Sequence, residues 1–192
     1  MLKTPFALLL CFALSPYVDA QQAMWIDVPF VRQPAEGCGA ASIAMVMQYW
    51  EHQDPSSVHL SAVGRSETSS DSDVGHIQHQ LYSKPAHGIY ASDLQQYLAT
   101  HGFAAYVVHG DVGLLAHHIE RGRPLIVALK PTSAPALHYV VVAGVDASEH
   151  TVLVNDPAQR KLLKLDSAAF EKEWQVTGNW TLLALPHAAQ QQ

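Results

Sequence analysis

The segment QPAEGCGAAS, residues 33–42, decides the fold because two kinds of local structure meet at its cysteine. Before it, residues 24–33 alternate imperfectly around Pro29, which is typical of a short extended segment. After it, apolar residues recur with the i, i+3, i+4, i+7 spacing of an amphipathic helix, at Ile43, Val46, Met47 and Trp50. The sequence therefore predicts a helix that begins at Cys38.

The C-terminal half is different in kind, because it contains short runs rich in Val, Leu and Ile that are bounded by Pro, Gly and Asp: residues 125–129, 138–145 and 151–155. These runs predict strands of one buried sheet, and residues 181–185 predict a final strand. Only a few polar residues around Ser148 separate the second run from the third, so we expect these two strands to form an antiparallel hairpin.

Three further helices are predicted between and beside these strands. One is capped by Ser92 or Asp93 and stops at Gly102, and the next covers residues 112–120 and ends at Gly122. A short helix carrying Phe170 and Trp174 is predicted to pack over the sheet. The polar stretch 66–75 predicts a mobile surface loop or insertion. Helices first and antiparallel strands afterwards predict an α+β domain.

Composition and charge narrow the class of protein. Of the 192 residues, 48% are hydrophobic and 15% are charged, which is typical of one globular domain. The net charge is −6, and the 11 Lys and Arg residues are scattered rather than clustered. We therefore expect no nucleic acid partner. The oligomeric state does not follow from the sequence.

The N terminus predicts export. Lys3 precedes the apolar run 6–14, and the small residues Val18 and Ala20 then occupy the positions that a signal peptidase reads. We expect cleavage after Ala20, which leaves a periplasmic or secreted domain of residues 21–192. The apolar run is too short for a permanent membrane span.

Signal removal would leave Cys38 as the single cysteine, because Cys11 lies in the predicted signal peptide. The large Leu10 argues against a lipidated Cys11. A cysteine at a helix N terminus lies near the positive end of the helix dipole, beside unpaired N–H groups, and both favour a thiolate. Gly37 and Gly39 leave the sulfur accessible. The alternative is a buried, unreactive cysteine.

A thiolate nucleophile needs an imidazole and a group that orients it. His138 opens one strand of the predicted hairpin and Asp156 follows the other. An odd number of loop residues, or a bulge, centred on Ala147 would place these side chains opposite each other on one face. A two-residue turn would place them on opposite faces. Gln33 is the candidate side-chain donor to a tetrahedral oxyanion.

The ordered set of these segments resembles a known family. Gln33, the run 37–42, HYVVV at 138–142 and NDP at 155–157 together resemble the bacteriocin-processing, double-glycine leader peptidases, a family of papain-like cysteine peptidases. The resemblance covers about residues 25–185 and implies a papain-like fold and a peptide or protein substrate. No cofactor and no metal are expected.

The resemblance also implies roles for four residues. Cys38 would be the nucleophile, His138 the general base, Asp156 the orienting residue and Gln33 the oxyanion donor. The best-known members are N-terminal domains of membrane exporters, whereas this chain resembles a stand-alone, exported relative. Many relatives carry an acid immediately before the cysteine, where this chain has Gly37. Whether double-glycine specificity is kept therefore stays open.

Three other functions compete with peptide hydrolysis. A binding module of the same fold would hold an extended peptide without cleaving it. A thiol amidase or acyltransferase would use the same residues on a non-peptide amide. A metal-binding protein is suggested by the scattered histidines, among them His76, His79, His87, His117 and His118. The two adjacent histidines on a predicted helix would point in different directions, which disfavours a shared metal.

Overall fold

The computed structural model describes residues 23–53, 72–132 and 136–187, which form helices and a seven-stranded antiparallel sheet. The strands are β1 (Met24–Trp25), β2 (Phe103–His109), β3 (Leu125–Leu129), β4 (His138–Asp146), β5 (Thr151–Asn155), β6 (Leu163–Asp166) and β7 (Trp180–Pro186). The helices are α1 (Cys38–Gln53), α2 (Val74–Leu81), α3 (Ala91–Thr100), α4 (Val112–Ile119) and α5 (Ser167–Gln175). The predicted α+β class is confirmed.

The strand order is β2-β7-β3-β4-β5-β6, and the short β1 pairs with the end of β4. Helices cover both faces of this sheet. On β4, Tyr139 and Val141 join the core beneath α1, α2 and α3, whereas Val140 and Val142 join a second core beneath α4 and α5. Successive strand residues point to opposite faces, so burial of both faces explains why β3, and β4 and β5 between their ends, are apolar at successive positions.

The strands predicted from the C-terminal half all form, and the β4–β5 pair is antiparallel as predicted. The predicted order of helices first and strands afterwards is wrong in part. β2, which was not predicted, lies between α3 and α4 and pairs with the distant β7. The helix predicted to carry Phe170 and Trp174 is α5, and it precedes the final strand as predicted. Edge strands such as β2 and the half-exposed β6 carry weak patterns, because one or both faces are incompletely buried.

Helix α1 begins at Cys38 as predicted, but more of it is buried than the predicted stripe. Every residue from Gly39 to Met47 is buried, because α1 packs on the sheet and also contacts α2 and α3. A helix that is apolar on all sides is typical of such a central position.

The predicted start of one helix differs from the structure. α3 begins at Ala91, and its N-cap Tyr90 makes no side-chain cap bond, so Ser92 and Asp93 lie inside the first turn. A carboxylate there still interacts favourably with the helix dipole.

Only the end of the predicted loop 66–75 lies within the described residues, because residues 66–71 are outside them. This end forms the start of α2. The side chain of Asp73 caps this helix by accepting a hydrogen bond from the His76 N–H at 2.9 Å.

The predicted signal peptide, residues 1–20, lies outside the described residues, as does Cys11. Among the helices that the structure describes, none combines the length and the apolar character that a membrane span requires.

Gly144 lies at a bulge in β4, where β1, β4 and β5 meet. A Cβ atom at this position would lie 2.7 Å from both Leu153 Cδ1 and the Met24 carbonyl oxygen. We therefore expect Gly144→Ala to lower the free energy of unfolding by about 2 kcal/mol, the usual cost of overpacking a core. Chemical denaturation would measure it. Gly113→Ala, at an exposed position of α4 where an added Cβ would meet only the Asp111 side chain, at 3.2 Å, is the control and is expected to change stability far less; equal stability of both variants would contradict the steric argument.

Candidate active site

A tight turn delivers the chain to Cys38. The Gly37 N–H donates to the Pro34 carbonyl at 3.0 Å, and Glu36 has a positive φ of 54°. A Cβ atom at residue 37 would lie 2.6 Å from the Pro34 ring, so the position requires glycine. Cys38 follows as the first residue of α1, a half-buried free thiol at the helix N terminus.

The side chains of His138 and Asp156 meet beside this thiol. His138 is the first residue of β4, and Asp156 directly follows β5. The His138 Nε2 atom lies 2.8 Å from Asp156 Oδ1, and the two side chains are 20% and 5% exposed. Cys38 lines the same cleft, and its proximity raises the pKa of the His138 imidazole. Because Nε2 faces the carboxylate, Nδ1 is the ring nitrogen left for the sulfur.

The register of the β4–β5 hairpin agrees with the prediction only in part. The turn between Asp146 and Thr151 has four residues, not an odd number, which would place residues 138 and 156 on opposite faces. A bulge within β4, between Val142 and Gly144, shifts the register by one and restores the common face. The bulge therefore lies in the strand and not at Ala147.

As a result, Asp156 is not directly opposite His138. The last pair in the ladder is Val141 with Asn155, so the next position would place Asp156 opposite Val140, diagonal to His138. Diagonal neighbours on one face are about 7–8 Å apart, which long side chains span. The imidazole and the carboxylate bridge that gap.

Asp156 is held by the turn that follows it. Its Oδ1 accepts a hydrogen bond from the Ala158 N–H at 2.9 Å, and its Oδ2 accepts one from Gln159 Nε2 at 2.6 Å. The Asp156 N–H donates to the Arg160 carbonyl at 3.1 Å. Sequence reasoning missed Gln159; Asp followed by Pro at a strand end indicates a turn, in which the Asp carboxylate accepts the backbone N–H two residues on, but it does not indicate the side-chain contact with Gln159.

The electrostatics favour a charged pair. Burial lowers the pKa of His138, but hydrogen bonds to Asp156 and Cys38, together with their charges, outweigh it and raise the pKa to about 9. Burial raises the pKa of Asp156, but its hydrogen bond with His138 and the nearby positive charge bring it below the ordinary value. An imidazolium next to a carboxylate is therefore stable at neutral pH.

Gln33 lies at the same site. Its N–H donates to the Pro157 carbonyl at 3.0 Å, which ties the segment before α1 to the turn that holds Asp156. Its Oε1 is buried and accepts no hydrogen bond from the described residues. Gln33 also lines the cleft that contains Cys38.

One cleft of about 790 Å³ is lined by Gln33, Cys38, His138 and Asp156. Its other described lining residues are Glu36, Pro85, Ala86, His87, Pro131, Ala136, Leu137, Ala158 and Gln159. Of the five histidines considered for a metal site, only His87 is among these lining residues. Within the described ranges, no group of three or more His, Cys, Asp or Glu side chains is arranged to hold a metal ion. The structure thus brings together all four residues singled out in the sequence.

A sequence model of the Peptidase C39-like family matches residues 25–182. The chain belongs to this family. The match contains Gln33, Cys38, His138 and Asp156, and it extends from β1 into β7. A search of curated proteins found none that matches.

Solved structures of C39 domains have the same fold. A C39-like protein from Bacillus anthracis has a TM-score of 0.62 at 18% identity, with 86% of this chain and 98% of that chain covered. The peptidase domain of Streptococcus ComA, a bifunctional ABC transporter involved in quorum sensing, has a TM-score of 0.60 at 19% identity, covering 83% and 98%. A double-glycine-motif protease from an AMS/PCAT transporter, in complex with the leader peptide, has a TM-score of 0.59 at 21% identity, covering 86% and 98%.

Proposed function

We propose that this C39-like chain is a cysteine peptidase in which Cys38, His138 and Asp156 form the catalytic triad. The observation that carries the proposal is the contact between His138 Nε2 and Asp156 Oδ1 at 2.8 Å, in the cleft that Cys38 lines from the start of α1. A thiol, a base and an orienting carboxylate in one cleft form the arrangement that nucleophilic acyl transfer requires.

The reaction follows from these positions. The Cys38 sulfur attacks the carbonyl carbon of the scissile peptide bond, and the imidazolium of His138 gives its proton to the departing amine. A water molecule, deprotonated by His138, then attacks the thioester and releases the acid and the thiol. Asp156 holds the ring and stabilises its charge. The Gln33 amide and the Cys38 N–H donate to the oxyanion of each tetrahedral intermediate.

We further propose that the domain acts as a stand-alone peptidase after export. The signal-peptide pattern of residues 1–20 supports export. A peptide is the proposed substrate, in line with the related transporter protease that was solved with its leader peptide. Gly37 before the nucleophile, where many relatives have an acid, leaves open which residues precede the scissile bond.

Alkylation by iodoacetamide tests the proposed thiolate–imidazolium pair. Because the pKa of His138 is raised to about 9, its imidazolium is present at pH 6 and at pH 8 and is lost only as the pH rises through about 9. In the proposed ion pair the sulfur of Cys38 is a thiolate while His138 is an imidazolium, so we expect Cys38 to react at nearly the same rate at both pH values. An ordinary cysteine, ionising near 8.5, would react roughly 80-fold more slowly at pH 6 than at pH 8.

The matched control for this measurement is His138→Ala, which removes the imidazolium and should restore the large difference between pH 6 and pH 8. The second-order rate constant, followed by mass spectrometry, is the readout. The ordinary-thiol ratio in the wild-type protein would contradict the ion pair.

Incubation with a mixed library of N-acetylated synthetic decapeptides tests hydrolysis itself. We expect discrete cuts, read by mass spectrometry, and we expect prior alkylation of Cys38 to remove them, because the nucleophile is then blocked. Intact peptides after long incubation would favour a binding module or an amidase of the same fold. Cuts that survive alkylation would indicate a contaminating peptidase.

A further inference from the structure

The cleft contains one acidic side chain that the proposed mechanism does not use. Besides Cys38, His138 and Asp156, the titratable side chains among its described lining residues are Glu36 and His87. The other lining residues are apolar or carry amides: Gln33, Pro85, Ala86, Pro131, Ala136, Leu137, Ala158 and Gln159. A substrate side chain that enters therefore meets the carboxylate of Glu36 next to the proposed nucleophile.

Two side chains hold the Glu36 carboxylate in place. The hydroxyl of Tyr82 donates to its Oε2, and His87 Nδ1 lies 3.0 Å from its Oε1. The hydrogen bond from Tyr82 is the main reason why the pKa of Glu36 lies below its ordinary value, and the contact with His87 is the second. The residue is thus an oriented, ionised carboxylate, and about half of its side chain remains accessible, at 43%.

The backbone does not account for a glutamate at this position. Glu36 has φ 54° and His87 has φ 48°, in the left-handed region that glycine and asparagine adopt most easily. The turn Pro34–Gly37 places Glu36 third, where a positive φ favours Gly or Asn. Glutamate is therefore suited to position 36 by its carboxylate and not by its backbone preference.

We propose that Glu36 makes this cleft select peptides with a Lys or Arg side chain close to the scissile bond. This proposal rests on the proposed peptidase function. An ammonium or guanidinium in the cleft is attracted by the Glu36 carboxylate, while an Asp or Glu side chain is repelled by it. His87 faces the same carboxylate, so its protonation opposes the selection.

The cut sites in the N-acetylated decapeptide library test the proposal, since acetylation removes the free amino group as a competing cation. For the wild type we expect sites with Lys or Arg within two residues of the cut to be cleaved about tenfold faster than sites with Asp or Glu there. Glu36→Gln should bring this ratio close to one. Glu149→Gln is the charge-matched control, because Glu149 pairs with Lys164 on the far turn of the hairpin and should leave the ratio unchanged.

Two further variants separate selectivity from folding. Glu36→Gly suits the left-handed turn, so it should unfold at or above the wild-type temperature and lose the selectivity nonetheless. His87→Asn also tolerates a positive φ and leaves the Glu36 charge uncompensated, so the preference for cations should persist or grow.

Three results would overturn the role of the Glu36 charge. The wild type could show no preference for Lys or Arg near the cut, the Glu36→Gln variant could keep that preference, or the His87→Asn variant could lose it as Glu36→Gln does. Cleavage that depends on Cys38 would still support the peptidase in each of these cases. An absence of any cleavage that depends on Cys38 would overturn both proposals.

Discussion

Replacing Cys38 with alanine is expected to abolish peptide hydrolysis, with a fall in kcat/KM of at least about 10⁴-fold. The sulfur is the atom that forms the proposed thioester, and no other cysteine lies within residues 21–192. The thiol is half-buried at the start of α1, so its loss should cost only about 1 kcal/mol of stability. The best-cut library peptide gives the rate, and thermal unfolding checks the fold.

Cys38→Ser is the matched control for this loss. It keeps the shape of the side chain and a hydrogen-bonding group for His138, but an alcohol does not form the ion pair that activates a thiol. We expect it to be almost as inactive as the alanine variant and to unfold close to the wild-type temperature. A Cys38→Ala protein that retains a tenth of the wild-type kcat/KM would rule out the proposed nucleophile.

Asp156→Asn is expected to lower kcat by about 10²–10³-fold with a smaller change in KM. The asparagine keeps the size of the side chain and an oxygen that can accept the Ala158 N–H, but it carries no charge to stabilise the imidazolium of His138. The pKa of His138, about 9 in the wild type, should therefore fall. The alkaline limb of the kcat/KM profile should move to lower pH.

The pH profile separates this role from simple destabilisation. Asp146→Asn is the control, because Asp146 lies in the same hairpin and accepts hydrogen bonds from Ser148 and Glu149, away from the cleft. It should lower the unfolding temperature and leave the alkaline limb in place. An unshifted limb in Asp156→Asn, with normal kcat, would show that the carboxylate does not act through His138.

The sequence by itself determined the local structure around each proposed catalytic residue. The helical spacing of apolar residues placed a helix start at Cys38, and the β-rich runs placed His138 and Asp156 at the ends of two neighbouring strands. These features depend on residues close in the chain, whose periodicity and turn chemistry are visible locally. The same features carry the resemblance to the C39-like family.

Only the tertiary structure decided how those pieces meet. A bulge before Gly144, which packs closely against Leu153 and β1, turns Asp156 to the same face as His138, and Gln159 donates a hydrogen bond to it there. The pairing of β2 with β7 and the contact between His87 and Glu36 join residues that lie far apart in the sequence. Such contacts depend on which surfaces the whole core can bury together, and no local pattern records that.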